Sequence, residues 1–194
     1  MIGSHNSFTH LASDSDINNY FTWLWRCQDK TMVEQYEAGV RFFDIRVKAI
    51  VKSGKVMWEA CHGSAGLGKT FLSINAICTY VQKSLPGSTF RLLLEKKGDY
   101  DEKFKTDSLK AVEKYPEILK FVAIKSGWSV LYQATDIPQI IDYCYVPWHS
   151  GDSFWENIKN FRPSTIKSYA KKHNPVITQE MVDDPTTIYF MDYI

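Results

Sequence analysis

Two histidines, an arginine and an aspartate fall at positions where their chemistry can be combined. His5 lies in the polar run Gly3-Ser4-His5-Asn6-Ser7, Asp44 and Arg46 are two apart and so share one face of a strand, and His62-Gly63 closes the next apolar segment. Histidine titrates near neutrality and serves as acid or base. Arginine keeps its charge and presents a planar fork that matches phosphate oxygens. Cleavage of a phosphodiester asks for such a set. One group takes a proton from the attacking hydroxyl, a cation steadies the charge gathering on the phosphate oxygens, and one group protonates the leaving oxygen. Any one of these residues near a strand end reads more simply as a hydrogen-bonded structural group, so the reading rests on the combination.

A second motif competes. Gly63-Ser64-Ala65-Gly66-Leu67-Gly68-Lys69-Thr70 fits the phosphate-loop pattern G-x-x-x-x-G-K-[ST], following an expected strand and opening an expected helix. Leu92-Leu93-Leu94-Glu95 adds an apolar strand ending in an acid that could sit beside a nucleotide's magnesium. The alternative function is therefore a nucleoside-triphosphatase. It explains one eight-residue loop and one acid, whereas the phosphodiester reading uses three separated segments. Without a nucleotide, Gly66 and Gly68 form a rim loop and Lys69 is a solvated or headgroup-facing charge.

The elements that must position these groups are punctuated by short Gly, Pro, Asn and Asp signals, with no repeat and no low-complexity linker. A polar loop runs from Gly3 to Ser15, and residues 16–38 read as helix up to Gly39. Residues 40–47 and 55–61 read as strands joined through Lys52-Ser53-Gly54-Lys55. A helix is expected over 70–85, a strand buried on both faces over Phe90–Leu94, a helix over 106–115, and short strands over 121–124 and 129–132. Residues 137–146 stay ambiguous. Helices follow at 154–161 and 165–172, and the chain closes on a strand over Thr187–Tyr193 that carries Asp192. This alternation predicts an α/β fold with a mostly parallel sheet, whose reactive side chains gather at the C-terminal strand ends if the sheet closes. The chain is short for eight βα units and shows no strand ahead of His5, so the expected form is a small, irregular or incomplete TIM-type (β/α) barrel, one domain over 1–194, possibly truncated at its N-terminus.

With 194 residues and 44% hydrophobic composition the chain can bury one substantial core. A net charge of +1 supplies no field that would recruit nucleic acid. No stretch approaches the roughly 20 apolar residues of a membrane span, and the start lacks a signal peptide's basic and apolar regions. Cys27, Cys61, Cys78 and Cys144 are scattered, without a CxxC pair, and read as free core thiols. Six tryptophans suit a core or a lipid-facing surface; Trp148 and Trp155 are the pair that could reach headgroups. His10, His149 and His173 lie outside any matching motif and take surface or hydrogen-bonded roles.

The segment Gly3-Ser4-His5-Asn6-Ser7, the run Gln35-Tyr36-Glu37-Ala38-Gly39-Val40-Arg41-Phe42-Phe43-Asp44-Ile45-Arg46, and then His62-Gly63 resemble, in order and spacing, the X-domain pattern of phosphatidylinositol-specific phospholipases C. The resemblance covers roughly the first hundred residues well. It implies cleavage of an inositol phospholipid at a membrane surface by a monomer, with His5 as general base, His62 as general acid, Arg46 on the phosphate and Asp44 orienting its neighbours. In the metal-independent bacterial members a late aspartate supports the base, which points to Asp192. Asn6, Glu95 and Lys96 become substrate contacts. Asn6 and Glu95 also match the calcium-dependent eukaryotic members, so Asn6, Asp44 and Glu95 form the alternative calcium set. Arg46 stands where those enzymes carry an acid, and a guanidinium there repels a divalent ion. The expected cofactor is therefore none. A third reading keeps the pocket and loses catalysis, leaving an inositol-lipid binder. Bacterial members are commonly secreted, so a missing leader implies either cytoplasmic residence or a lost N-terminal segment.

Overall fold

The computed structural model describes residues 1–11, 26–63, 65–95, 98–125, 129–144 and 166–194. Among them are nine strands of one sheet: β1 (Ile2–Ser4), β2 (Val40–Lys52), β3 (Lys55–His62), β4 (Ala65–Phe71), β5 (Thr89–Leu94), β6 (Leu119–Ile124), β7 (Ser129–Gln133), β8 (Gln139–Asp142) and β9 (Thr187–Met191). Five helices accompany them: α1 (Met32–Glu37), α2 (Ile74–Ser84), α3 (Asp101–Lys114), α4 (Ile166–His173) and α5 (Gln179–Asp183). The strand order β7-β6-β5-β2-β1-β9-β8 curls into a half-barrel, with β3 and β4 branching from β2. Every pairing along that path from β6 to β8 is parallel, while β7 pairs antiparallel with β6 and the β2–β3–β4 meander is antiparallel.

Period-two alternation sorts the side chains. Phe43, Ile45 and Val47 of β2 lie in register with Phe90, Leu92 and Leu94 of β5. All six are buried in the main core with Ile77 and Val81 of α2 and Phe104 and Ala111 of α3. The intervening residues face the concave side, where Phe42, Ile188 and Phe190 form a smaller apolar cluster. Asp44 and Arg46 belong to this concave set, and Arg91 of β5 is the register partner of Asp44. One polar column thus rises through the half-barrel above an apolar floor.

The structure corrects several sequence expectations. A strand does precede His5: β1 is only three residues long, too short to register as a periodic run. The expected helix over 70–85 begins at Ile74, where the Ser73 hydroxyl caps it by accepting from Ala76 N at 3.2 Å. Gly63–Thr70 runs into β4, which pairs antiparallel with β3. A phosphate loop needs its Lys-Thr to open a helix, so the nucleotide-binding reading loses its context. The helix expected over 16–38 is seen as α1, set by a capping box between Thr31 and Glu34, and residues 12–25 lie outside the described residues. So do Lys96, Trp148, His149, Trp155 and the helix expected over 154–161. The ambiguous 137–146 stretch supplies β8.

Candidate active site

The candidate residues meet at the C-terminal ends of β1, β2, β3, β5 and β9. His5 leaves β1 and Asp192 leaves β9, the two strands being paired in parallel with Ser4 opposite Met191. The backbone stays stitched past the strand ends, His5 N donating to Met191 O at 3.0 Å. Asn6 then adopts a left-handed conformation with φ 47°, a turn that Asn tolerates better than most residues. Ser7 ties the loop to β2: its N–H donates to Asp44 O and its hydroxyl accepts from Asp44 N, both at 2.9 Å. Gln35 of α1 closes the underside, accepting from Ser4 Oγ at 2.5 Å and donating to Ser7 O at 2.9 Å.

Hydrogen-bond geometry fixes the protonation of His5. Arg46 Nη2 lies 2.6 Å from its Nε2 and Asn6 Nδ2 lies 3.2 Å away; both are donors, so Nε2 carries the lone pair. The ring proton then sits on Nδ1 and is donated to Asp192 Oδ1 at 2.7 Å. Asp192 is 1% exposed and His5 14%. A carboxylate that orients an imidazole and leaves its far nitrogen basic is the arrangement a general base requires. Phe190, edge-on to His5 at 5.6 Å between ring centroids, walls the ring on its apolar side.

Arg46 is the hub. Its Nε donates to Asp44 Oδ2 at 2.9 Å and its Nη1 approaches Glu95 Oε1 at 3.4 Å. Asp44 Oδ2 also accepts from Asn6 N at 3.0 Å, and its Oδ1 takes Arg91 Nε at 2.8 Å. Burial alone would raise the Asp44 carboxyl, but Arg46 and Arg91 hold it far below the usual carboxylate range. Asp44 is therefore ionised and acts as a fixed strut. Arg91 lies over the Phe190 ring at 4.3 Å.

His62 ends β3. Its neighbour Gly63 donates its N–H to Glu95 Oε1 at 3.1 Å, and Lys125 at the end of β6 pairs with the same oxygen. Glu95 thus links the His62 turn to Arg46. Burial, then the positive charge of Arg46, depress the His62 pKa to about 4 against an opposing pull from Glu95. His62 is consequently neutral at physiological pH in the resting site, within the field of the same guanidinium that touches His5.

The structure therefore gathers His5, Asn6, Asp44, Arg46, His62, Glu95 and Asp192 into one cluster. Sequence reasoning missed Arg91 and Lys125. Arg91 left a signal, as the one charge inside an apolar strand; Lys125, one lysine after a strand, left none.

The calcium set is filled by the protein's own cation. The Arg46 guanidinium bonds Asp44 and reaches Glu95, two of the three proposed oxygen ligands. At 4 Å and an effective dielectric of 20, a fixed unit charge opposes each charge of an incoming ion by roughly 4 kcal/mol. Asn6 Oδ1 and Glu95 Oε2 are buried without hydrogen-bond partners among the described residues, but the guanidinium already bonded to Asp44 and Glu95 opposes a divalent ion there, so the set does not fit the ion. His5, Cys144 and Asp192 also bring ligand atoms within 4.8 Å of one another. Burial and then Asp192 push the Cys144 thiol far up, which keeps it protonated and a poor metal ligand.

In structure the chain is similar to the phosphatidylinositol-specific phospholipase C of Listeria monocytogenes, with a TM-score of 0.60 over 100% of this chain and 87% of that one at 16% identity. Two structures of the Staphylococcus aureus phosphatidylinositol-specific phospholipase C give TM-scores of 0.57 and 0.56, each over 100% of this chain and 85% and 84% of theirs, at 16% and 17% identity. The chain has the phosphatidylinositol-specific phospholipase C fold. No family model matches the sequence, and no curated protein matches it either. At this distance the phospholipase C fold is carried by strand order and core pattern, with few identities. No helix among the described residues is long and apolar enough to cross a membrane.

Proposed function

We propose that this protein is a phosphatidylinositol phospholipase C that cleaves the phosphodiester of an inositol phospholipid without a metal ion, working on lipid at a membrane surface. The observation that carries the proposal is the His5 imidazole held between Asp192 and Arg46 with its Nε2 lone pair turned to the guanidinium.

In the resting site both ring nitrogens of His5 are occupied by the protein's own groups. Arg46 Nη2 occupies the basic nitrogen, and an anionic phosphate draws that guanidinium to its own oxygens because a partner of opposite charge outcompetes a neutral imidazole acceptor. Nε2 is then free to take the proton of the inositol 2-hydroxyl. Asp192 stabilises the imidazolium that forms, and the hydroxyl oxygen attacks phosphorus. Arg46, braced by Asp44, offsets the charge on the non-bridging oxygens. His62 must carry a proton at this moment, and the bound phosphate supplies the reason: its negative charge offsets the Arg46 field that depresses the free-state pKa. The acid form thus develops where substrate is present. His62 protonates the departing diacylglycerol oxygen and a cyclic inositol phosphate is left. Water opens that ring with the two histidines exchanging roles.

Asn6, Glu95 and, next to it in sequence, Lys96 act as headgroup contacts, with Lys125 paired to Glu95. Product analysis on phosphatidylinositol tests the proposal directly: diacylglycerol is expected together with an equal total of cyclic and ring-opened inositol phosphate, unchanged by EDTA. Absence of both products rejects the activity, and loss of both on chelation rejects the metal-free route.

A further inference from the structure

β2 does not stop where its neighbour stops. Val47 is opposite Leu94, the last residue of β5, yet β2 continues to Lys52 with β3 as its partner. Five residues at about 3.4 Å each carry the hairpin roughly 17 Å along the strand beyond that level, on the end of the sheet that holds His5, Arg46 and Glu95. The tip is well defined. Ser53 and Gly54 both have positive φ, 50° and 73°, the conformation of a two-residue hairpin turn that matches strand twist.

The charge on this projection is one-sided. From Lys48 to Val56 the hairpin holds three lysines and no acid. Lys48 is paired with Glu59 at 3.2 Å. Lys52 and Lys55 face each other as the last pair of the ladder, both are exposed, and neither has an acidic partner among the described residues. Two apolar side chains stand nearby in solvent. Val51 is 53% exposed, and Leu72, which follows β4, is 73% exposed. Both lie toward the same end of the meander: Phe71 is opposite Trp58, and Trp58 is opposite Ala49, two residues before Val51, and β4 runs in the same direction as β2.

We infer that the β2–β3 tip and Leu72 form a docking rim for an anionic lipid surface. Lys52 and Lys55 meet the acidic headgroups, while Val51 and Leu72 enter the interface between them. The inference rests on the proposed function only in taking lipid to approach this end of the sheet. The pairing of exposed aliphatics with unneutralised lysines fits a membrane better than a protein partner, since each lysine near an anionic leaflet gains about fivefold in partition.

Vesicle sedimentation tests the rim. The protein should partition more strongly onto phosphatidylcholine vesicles containing phosphatidylglycerol than onto pure phosphatidylcholine, and high salt should erase the difference. Lys52→Gln with Lys55→Gln should weaken the charged-vesicle partition by roughly 30-fold. Leu72→Ser should weaken binding to both vesicles. Cleavage of a short-chain phosphatidylinositol dissolved as monomers should stay at the wild-type rate in all variants. Wild-type partition by the double lysine variant overturns the inference, as does a protein that fails to distinguish the two vesicles. If the parent protein leaves the monomeric lipid intact, the catalytic reading fails while the sedimentation result still decides the rim.

Discussion

In the proposed reaction His5 and His62 enter from opposite starting points. His5 is held with a basic Nε2 by its hydrogen bonds, whereas His62 is kept neutral by burial and by the positive charge around it. His5→Ala and His62→Ala are each expected to lower turnover by about 100- to 10,000-fold while the circular dichroism spectrum stays unchanged. The His62 ring should titrate in NMR with a midpoint near 4 in the free protein, and the midpoint should move upward when an inositol phosphate is added. A midpoint that ignores the anion would separate His62 from the phosphate site. Arg91→Met should destabilise the fold by about 3 kcal/mol in urea titration, because it strands a buried Asp44 oxygen, and should lower turnover through the loosened Arg46. His5, Asp44, Arg46 and His62 were legible in the sequence because motif order survives where overall identity does not. Asp192 was legible only through the resemblance. Arg91 was hidden because its role depends on the register of β2 against β5, which no local window contains.

β1 is the element on which the site depends most. It lies between β2 and β9, and a Cβ added at Gly3 would meet Ile188 Cγ2 at 2.6 Å and Phe190 Cδ2 at 2.9 Å. Gly3→Ala should therefore pry β1 from β9, lowering stability by about 1–3 kcal/mol and drawing His5 away from Asp192. A paired measurement of urea midpoint and turnover reads both effects. The β5 and β6 strands were legible from their apolar runs, as were the approximate positions of α3 and α4. The meander was not: the glycines and Lys-Thr of 63–70 carry a strand-to-helix signature, and cross-strand pairing of β3 with β4 overrides it. A strand of three residues such as β1 has no periodicity to read.

At the scale of the whole molecule, alternation of strands and helices was enough to anticipate an incomplete parallel barrel, while the curl of the sheet and its branch at β2 depend on pairings between distant segments. Acid sensitivity is a property of this assembly. The His62 pKa falls from 6.5 to about 4 on folding, so between those values the unfolded chain binds a proton that the folded chain does not. Stability is complete above about pH 6.5 and declines as pH falls toward 4, by about 3 kcal/mol from this residue. The depressed carboxyls of Asp44 and Glu95 extend the loss to lower pH. Urea titration at neutral pH and near pH 4 checks this, and His62→Gln should flatten the upper part of the profile. Finally, the His5–Asp192 bond joins residues 187 apart in the chain, through neighbouring strands from its two ends. During synthesis His5 therefore emerges long before Asp192, and the pair cannot form until β9 has been made. Stalled or prematurely terminated products that lack β9 therefore hold His5 without the carboxylate that orients it.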